Sequence, residues 1–276
     1  MLNTAELQTI ANQIRTAQDQ ALLLTPITSQ YTGFDGAAAY DVANMVHTMR
    51  LAGGARAVGR KIGFTNSAMW TQYDVSAPVW AHVYDTTVTY LPDASSLPAT
   101  CSLSGFVQPK IEPEVVFHFR AAPPPDGDMA AVLACIDWVA HGFEMVQSPY
   151  PDWKFQAPDA IAVGGLHARL LVGKRQPVDA LGPGLESALA AFSLALSEGG
   201  RLIETGKGAN VLGNPLAAVV HLMRVLASQL PHRPLQAGEL VTTGTVTSAY
   251  PVQAGQTWRT ELGGIALPGL TIRLTD

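Results

Sequence analysis

The stretch QPKIEPEVVFHF, residues 108–119, decides how the chain is interpreted. If it is extended, alternate side chains point to opposite faces. One face then carries four apolar side chains, Ile111, Val115, Phe117 and Phe119. The opposite face carries Glu112, Glu114, Val116 and His118. Carboxylates two residues apart lie about 6.6 Å apart along a strand, so either solvent or a cation must relieve their repulsion.

Two interpretations of this pair stay open on the residues alone. The carboxylates lie on a solvated strand edge, or they are ligands of a divalent cation. Pro113 stands between them and has no N–H, which indicates an edge strand or a bulged segment that opens toward a site.

A third carboxylate in an apolar context favours the metal. Glu144 in GFEMVQ is flanked by Phe143, Met145 and Val146, in a position that we expect to follow a helix. Mg²⁺ and Mn²⁺ take oxygen ligands and use few protein carboxylates.

Lys61 in VGRKIGFT is one of only five lysines, and an apolar, glycine-containing run follows it. A semi-buried lysine can hold a substrate carboxylate or take part in proton transfer. The alternative is a lysine at a strand end whose ammonium reaches solvent.

The histidines indicate less chemistry. His118 shares the carboxylate face but lies four residues beyond Glu114, too far along the strand for the same ion. We expect His82, His141 and His167 to be satisfied core or surface residues. The chain has no HExxH, GxSxG or Walker A motif.

Composition excludes several partners. The 276 residues carry a net charge of −5 with 47% hydrophobic and 14% charged residues, which argues against nucleic acid and anionic membranes. We see no apolar run near the roughly 18 residues of a membrane span and no secretory signal. Cys101 and Cys135 are predicted to be buried thiols of a cytoplasmic protein.

The pattern of elements predicts two N-terminal helices, over residues 3–20 and 36–51, followed by a body of many short strands. Two further helices are predicted at 129–141 and at 214–230, the second capped by Asn214 with Pro215 at its first position. We therefore divide the chain into an N-terminal helical region, 1–56, and a strand-rich domain, 57–276, which carries the candidate chemical groups.

Several motifs resemble, in order, those of the fumarylacetoacetate hydrolase superfamily. They are VGRKIGFTN, QPKIEPEVVF, FEMVQS with DWKF and DAIA, TGKGANVLGNPLAAVVHL, and LQAGELVTTGTVTSAYPVQAGQ. The similarity runs from about residue 5 to the end and is greatest to the branch of 2-keto-4-pentenoate hydratases and 4-oxalocrotonate decarboxylases. It implies an α+β fold, a mixed β-roll with an N-terminal helical region, in a homo-oligomer that uses Mg²⁺ or Mn²⁺.

The resemblance also implies roles for individual residues. The metal triad of the family falls on Glu112, Glu114 and Glu144, and its active-site lysine falls on Lys61. Its aspartate falls on Asp159, and its TG(S/T) loop falls on Thr243, Gly244 and Thr245, where a hydroxyl and backbone groups would face the substrate carboxylate. Lys154 in DWKF is a further candidate for substrate binding.

The reaction implied is hydration of a 2-hydroxypenta-2,4-dienoate-type 2-oxo acid in aromatic catabolism. C–C hydrolysis of an acylpyruvate of the maleylpyruvate or fumarylpyruvate type is the first alternative, and 4-oxalocrotonate-type decarboxylation is the second. Two family positions differ. The branch has Ser-Arg where this chain has Ser148-Pro149, and Asp-Asn where it has Val163-Gly164, so Lys154 and His167 are candidates to compensate. The His/Glu dyad of the acylpyruvate hydrolases has no HxxE counterpart near residues 20–40.

Overall fold

The computed structural model describes residues 2–67, 70–73, 77–92, 98–229 and 233–276. Its helices are α1 (Thr4–Gln20), α2 (Ile27–Gln30), α3 (Gly36–Ala52), α4 (Trp70–Tyr73), α5 (Met129–Ala134), α6 (Ala157–Ala162), α7 (Leu185–Ala191) and α8 (Pro215–Ser228). The predicted first, second and last helices are confirmed within two residues at each end. Asn3 and Glu6 form a capping box at the start of α1, and the Asn214 side chain caps α8.

The strands form two sheets among the described residues. They are β1 (Ala57–Gly63), β2 (Val79–Tyr84), β3 (Val88–Tyr90), β4 (Ala99–Ser102), β5 (Lys110–Phe119), β6 (Ile136–Val146), β7 (His167–Val172), β8 (Gln176–Pro177), β9 (Ser193–Glu198), β10 (Arg201–Lys207), β11 (Leu240–Thr245), β12 (Tyr250–Pro251), β13 (Thr257–Gly263) and β14 (Thr271–Thr275). The larger sheet has the order β2-β1-β11-β5-β6-β7-β3, with β12 paired to β5 and β8 paired to β6. The smaller sheet has the order β10-β9-β13-β14-β4. The fold is α+β with a mixed sheet, as predicted.

The alternation proposed for β5 is confirmed. Its apolar face packs into the largest hydrophobic cluster, through Ile111, Val115, Phe117 and Phe119. Val116, on the other face, belongs to a separate cluster with Val83 and Leu240. The strand is buried on both sides, so the interpretation of its glutamates as a solvated edge is wrong.

The predicted edge position of Pro113 is also wrong, because β5 lies between β11 and β6 in the middle of the larger sheet. The irregularity that a proline requires lies in the neighbouring strand. The register between β5 and β11 shifts between Thr242 and Thr245, and the N–H of Val246 donates to the Pro113 carbonyl. A bulge beside Pro113 lets a residue without an N–H occupy a central strand.

The helix predicted at 129–141 is wrong beyond Ala134. Helix α5 ends there, and β6 begins at Ile136, so Glu144 lies in a strand and does not follow a helix. Most of β6 is buried on both faces, and such a strand has no period-2 polar alternation to distinguish it from a helix.

Helices α1 and α3 pack onto α6 and do not form a separate core. Ile10, Ile14 and Val42 share one hydrophobic cluster with Ala160 and Ile161. The boundary at residue 56 agrees with the start of β1 at Ala57, while the division into two domains stays a prediction.

One helical stretch, Gly208–Ser228, has the length and hydropathy of a membrane span, although the sequence suggested none. Within its most apolar window 56% of the residues are buried inside the protein. Leu216, Val219 and Leu222 belong to the main hydrophobic cluster. This burial is typical of the core helix of a soluble protein.

Candidate metal centre

The pairing of β5 with β6 brings three carboxylates together. Glu112 lies directly opposite Glu144, and Glu114 lies opposite Gly142 one step further along. One carboxylate oxygen from each of the three glutamates lies within 4.8 Å of one from each of the others. Opposite ligands of an octahedral Mg²⁺ lie about 4.2 Å apart, so small side-chain adjustments suffice for a shared ion.

Glu144 is fixed by two side chains. Its Oε2 accepts a hydrogen bond of 2.9 Å from Lys61 Nζ on β1, and its Oε1 bonds His167 Nδ1 on β7 at 2.7 Å. Glu144 is fully buried and Lys61 is 2% exposed. Lys61 is therefore buried in the site, and the alternative of an ammonium in solvent is wrong.

Glu114 is held on one oxygen only. Its Oε2 accepts from Thr242 Oγ1 and from the Gly244 N–H at 2.9 Å. Its Oε1 is buried and has no hydrogen-bond partner among the described residues. An unsatisfied buried carboxylate oxygen costs free energy unless a cation binds it.

The charges of the cluster do not balance within the protein. Three carboxylates face one ammonium, which leaves two negative charges if all four groups are ionised. Burial raises the pKa of Glu112 to about 7. Burial, followed by Glu144 and Glu112, raises the pKa of Glu114 well above its usual range. Two protons, or one divalent cation, would neutralise the excess.

Lys61 and Glu144 form the ionised pair of the cluster. Burial opposes the charge on Glu144, but Lys61 and the His167 hydrogen bond outweigh it and lower its pKa to about 2. Burial likewise disfavours the Lys61 ammonium, but the three glutamates raise its pKa. The residues present therefore fit a hard divalent cation with oxygen ligands.

A cavity opens beside the cluster. Its polar lining residues are Lys61, Thr65, Asn66, Glu112 and Thr245, and its apolar ones are Phe64, Val146, Trp153, Leu166 and Ala249. Its volume of about 40 Å³ is small. A mainly apolar lining with a few polar groups and one ammonium suits a short organic acid.

The sequence is similar to those of decarboxylases and hydratases. A 4-oxalocrotonate decarboxylase of Pseudomonas sp. is 29% identical over 248 residues, which cover 88% of this chain and 91% of the relative. A 2-keto-4-pentenoate hydratase of Burkholderia vietnamiensis is 27% identical over 270 residues, which cover 96% and 97%. No family model matches the chain.

The solved structures agree. The 4-oxalocrotonate decarboxylase of Pseudomonas putida G7, complexed with magnesium and adipate, superposes with a TM-score of 0.88 at 26% identity over 99% of both chains. The resemblance to the fumarylacetoacetate hydrolase superfamily is therefore confirmed by sequence relatives and by the shared fold. A fumarylpyruvate hydrolase of Pseudomonas aeruginosa shares the fold, with a TM-score of 0.57 at 14% identity over 80% of this chain and 89% of that one.

The substrate-binding roles implied by the superfamily resemblance fit some of the residues better than others. Thr245 lines the cavity, as expected of a substrate-binding residue. The Gly244 N–H is engaged by Glu114. Lys154 is exposed, pairs with Asp152 at 3.5 Å and is not among the lining residues. Its substrate role stays a prediction.

Asp159 is buried away from the lining of the cavity. Its Oδ1 accepts from the Thr28 N–H, and its Oδ2 accepts from Thr28 Oγ1 and the Gln156 N–H. These bonds tie helix α2 to the start of α6. The catalytic role that the superfamily resemblance implies for Asp159 stays a prediction.

His167 was missed as a site residue, except as a candidate to compensate for the altered superfamily positions. Besides Glu144 it bonds Thr87 through Nε2 at 2.8 Å, so it orients the carboxylate from behind. Leu166 before it has φ +66°, a strained conformation for a non-glycine residue. No sequence signal marks His167, because the contact depends on how β6 and β7 align.

Two other histidines behave as predicted. His118 bonds Asp137 at 2.7 Å and stacks on Trp138. His141 is a satisfied core residue: Nδ1–H donates to the Glu114 carbonyl, and Nε2 bonds Thr260 Oγ1.

Proposed function

We propose that this chain is a divalent-metal-dependent hydro-lyase that hydrates a 2-hydroxypenta-2,4-dienoate-type acid. The proposal is supported by the carboxylate cluster around Lys61 and by relatives that carry the names of hydratases. Glu112, Glu114 and Glu144 are the proposed metal ligands, with Mg²⁺ or Mn²⁺ as the cation.

One observation favours the hydratase over a decarboxylase. Among the described residues that line the cavity, Lys61 is the only cationic one. The apolar side chains Phe64, Val146, Trp153, Leu166 and Ala249 outnumber the uncharged polar ones, Thr65, Asn66 and Thr245. A substrate with a single carboxylate at one end and a hydrocarbon tail fits this lining. A dicarboxylate such as 4-oxalocrotonate would bring a second negative charge into a lining that offers no second cationic side chain among the described residues, which is costly.

Glu112, Glu114 and Glu144 would hold the cation, which would act as a Lewis acid and stabilise negative charge on the 2-oxo acid. Lys61 Nζ, protonated and hydrogen-bonded to Glu144, supplies a second positive charge beside the substrate. Thr245 supplies a hydroxyl at the same wall. His167 keeps Glu144 in position, and Phe64 and Leu166 exclude water from the hydrocarbon tail.

The proposed reaction balances without another reactant. The enol proton of the substrate is lost from oxygen and a proton is added at C5, which gives a conjugated 2-oxo-3-enoate. Water then adds its hydroxyl at C4 and its proton at C3, and the product is 4-hydroxy-2-oxopentanoate. Lys61 is the proposed proton carrier, and the resemblance to the superfamily adds Asp159 and Thr245 as catalytic residues.

The setting of the enzyme is proposed from the same resemblance. We propose a cytoplasmic homo-oligomer that acts on a small 2-oxo acid and binds neither nucleic acid nor membrane. The net charge of −5 supports the last point.

Product analysis tests the proposal. The protein with Mg²⁺ is incubated with 2-hydroxypenta-2,4-dienoate, and the product is followed by ¹H NMR. We expect 4-hydroxy-2-oxopentanoate, at a rate that EDTA abolishes and excess Mg²⁺ restores.

Two other products would overturn the proposal. Release of CO₂ from 4-oxalocrotonate, with no hydration of the dienoate, would make the chain a decarboxylase. Release of pyruvate from fumarylpyruvate, again with no hydration, would make it a C–C hydrolase. The C–C hydrolase alternative is supported only by a fold shared with a fumarylpyruvate hydrolase.

A further inference from the structure

A second cavity of about 220 Å³ lies between the N-terminal helices and the larger sheet. Helices α1 and α3 form one side, and β2 and the turn between α6 and β7 form the other. It shares no lining residue with the cavity beside the glutamates. Gly164 and His167 face it, whereas Gly165 and Leu166 between them face the other cavity. A wall one turn thick therefore separates the two.

The lining of this second cavity is rich in flat rings, from Tyr40, Trp80, His82, Tyr84 and Phe106. Tyr40 and Trp80 stack with ring centroids 5.7 Å apart, and His82 meets the edge of Trp80 at 5.3 Å. Aromatic side chains in a cavity lining can contact another planar ring by offset stacking or edge-to-face packing.

The charge of the second cavity is positive. None of the described residues that line it is acidic, and Arg50 contributes a guanidinium. Arg50 bonds Asp19 at 2.7 Å and Gln18 at 2.8 Å. Asp19 is shared, because Arg15 also bonds it at 2.6 Å. Two guanidinium groups thus face one carboxylate, which leaves one positive charge for an anion.

The size and the polar groups fit a small aromatic acid. In another protein, a cavity of about 150 Å³ is enough to admit benzene. Asn44 and Gln147 add amide groups to the lining, and an amide N–H can donate to a carboxylate. Apolar rings with a few convergent polar groups are typical of small-molecule sites.

We propose that this second cavity is a binding site for a planar aromatic monocarboxylate. The ring contacts the aromatic lining, and the carboxylate is placed near Arg50. The site shares no lining residue with the cavity of the proposed active site, although His167 lines it and bonds Glu144. It does not depend on the reaction proposed above.

Benzoate is the probe, and binding to the purified full chain is measured by titration calorimetry. We expect saturable binding with a dissociation constant below about 1 mM. Ala43→Leu places a larger side chain in the cavity, and Arg50→Gln removes its charge. Each should weaken benzoate binding about tenfold or more. Saturating Mg²⁺ and pyruvate, which occupy the proposed active site, should leave the affinity of the wild type for benzoate unchanged.

Matched controls separate occupancy of the cavity from general damage. Ala52→Leu makes the same change at an exposed position of α3, and Arg201→Gln removes an exposed arginine of β10. Both should bind benzoate like the wild type. The proposal is overturned if the wild type shows no saturable binding, if pyruvate with Mg²⁺ displaces benzoate, or if Arg50→Gln and Ala43→Leu bind as tightly as their controls. Should Ala43→Leu fail to fold, Arg50→Gln and the pyruvate competition still decide.

Discussion

Three glutamates, two of them at most 1% exposed, need an explanation at the level of single atoms. Glu144 is satisfied by Lys61 and His167, and one oxygen of Glu114 by Thr242 and Gly244. Glu114 Oε1, by contrast, has no partner among the described residues. A buried carboxylate oxygen that no protein group bonds is where a bound cation stabilises the site most.

Replacing Glu114 tests this oxygen. Glu114→Gln keeps the shape of the side chain but removes the charge and offers an amide in place of one oxygen. We expect the dissociation constant for Mg²⁺, measured by calorimetry, to rise at least about a hundredfold. Replacing a residue that only hydrogen-bonds to a metal ligand already lowers metal affinity about 10–100-fold. Glu261→Gln, at a 66% exposed side chain, is the control and should bind like the wild type. An unchanged affinity in Glu114→Gln would remove Glu114 from the metal ligands.

His167 acts through Glu144, so its replacement should have a smaller effect. His167→Ala should weaken Mg²⁺ binding roughly 10–100-fold, since Glu144 Oε1 loses its donor. His167→Asn places an amide N–H near the position of Nδ1 and should restore most of the affinity. Equal affinities for the two variants would show that the hydrogen bond does not orient Glu144.

For single residues, the sequence predicted the proposed metal ligands better than the residues that hydrogen-bond to them. Glu112, Glu114 and Lys61 could be found from strand alternation, scarcity of lysine and the order of motifs. His167 could not, because its contact with Glu144 requires the register shift between Met145 and Val146 opposite β7. Register between distant strands depends on packing that a local pattern does not contain.

Among the elements, the end of β11 carries the tightest constraint. Gly244 has φ +94°, and a Cβ there would lie 1.9 Å from Thr65 Oγ1. Only glycine allows the strand to turn so closely past Thr65 while its N–H reaches Glu114.

Gly244→Ala should therefore destabilise the protein by about 3 kcal/mol or more. Gly54→Ala is the matched control, because Gly54 has φ +92° but no atom within 4 Å of the added Cβ. It should cost only about 1 kcal/mol, the conformational part alone. Urea unfolding measures both, and equal losses would show that the approach to Thr65 imposes no constraint.

The hydrogen bonds of Asp159 that join α2 to the start of α6 should stabilise the fold. Asp159→Asn and Thr28→Val each remove a hydrogen bond of this link and should lower the free energy of unfolding by about 1–3 kcal/mol. A catalytic role for Asp159 would add a fall in kcat that Thr28→Val does not share. Unchanged stability in both variants would contradict the link.

Elements with clear ends were predicted well, and buried ones were not. Helices α1 and α8 have capping residues and an apolar stripe that the sequence shows directly. The strand β6 follows the helix-forming run MAAVLA and is buried on both faces. Its apolar run therefore extended the predicted helix beyond Ala134 to residue 141, since periodicity alone cannot separate a buried strand from a helix.

For the whole molecule, the buried glutamates make the free energy of unfolding depend on pH and on metal binding. Burial raises the pKa of Glu112 to about 7, above its ordinary value of 4.5. Between these values the metal-free native state keeps a proton that the unfolded state has released, so this group lowers stability as pH rises. Metal binding displaces the proton and becomes stronger over the same range.

The rise in melting temperature caused by Mg²⁺ should therefore be larger at pH 8 than at pH 6. Thermal unfolding with and without saturating Mg²⁺ at the two pH values measures it. The Glu114→Gln variant should show little rise at either pH. A rise in the wild type that is larger at pH 6 would contradict the sign of this linkage.

The fold of the whole molecule could be predicted because recognisable motifs run nearly from end to end of the chain. What they did not settle is the reaction, which depends on side chains contributed to one cavity by distant segments. Phe64, Val146 and Leu166 come from three separate parts of the chain, and only the folded arrangement shows that together they form an apolar wall.

The central claim is that Glu112, Glu114 and Glu144 hold one divalent cation beside Lys61. Anomalous diffraction from crystals of the protein soaked in Mn²⁺ tests it most directly, because Mn²⁺ uses the same oxygen ligands as Mg²⁺. We predict one strong anomalous peak within about 2.5 Å of an oxygen from each of the three glutamates. A peak elsewhere, or none at a concentration that saturates activity, would contradict the account.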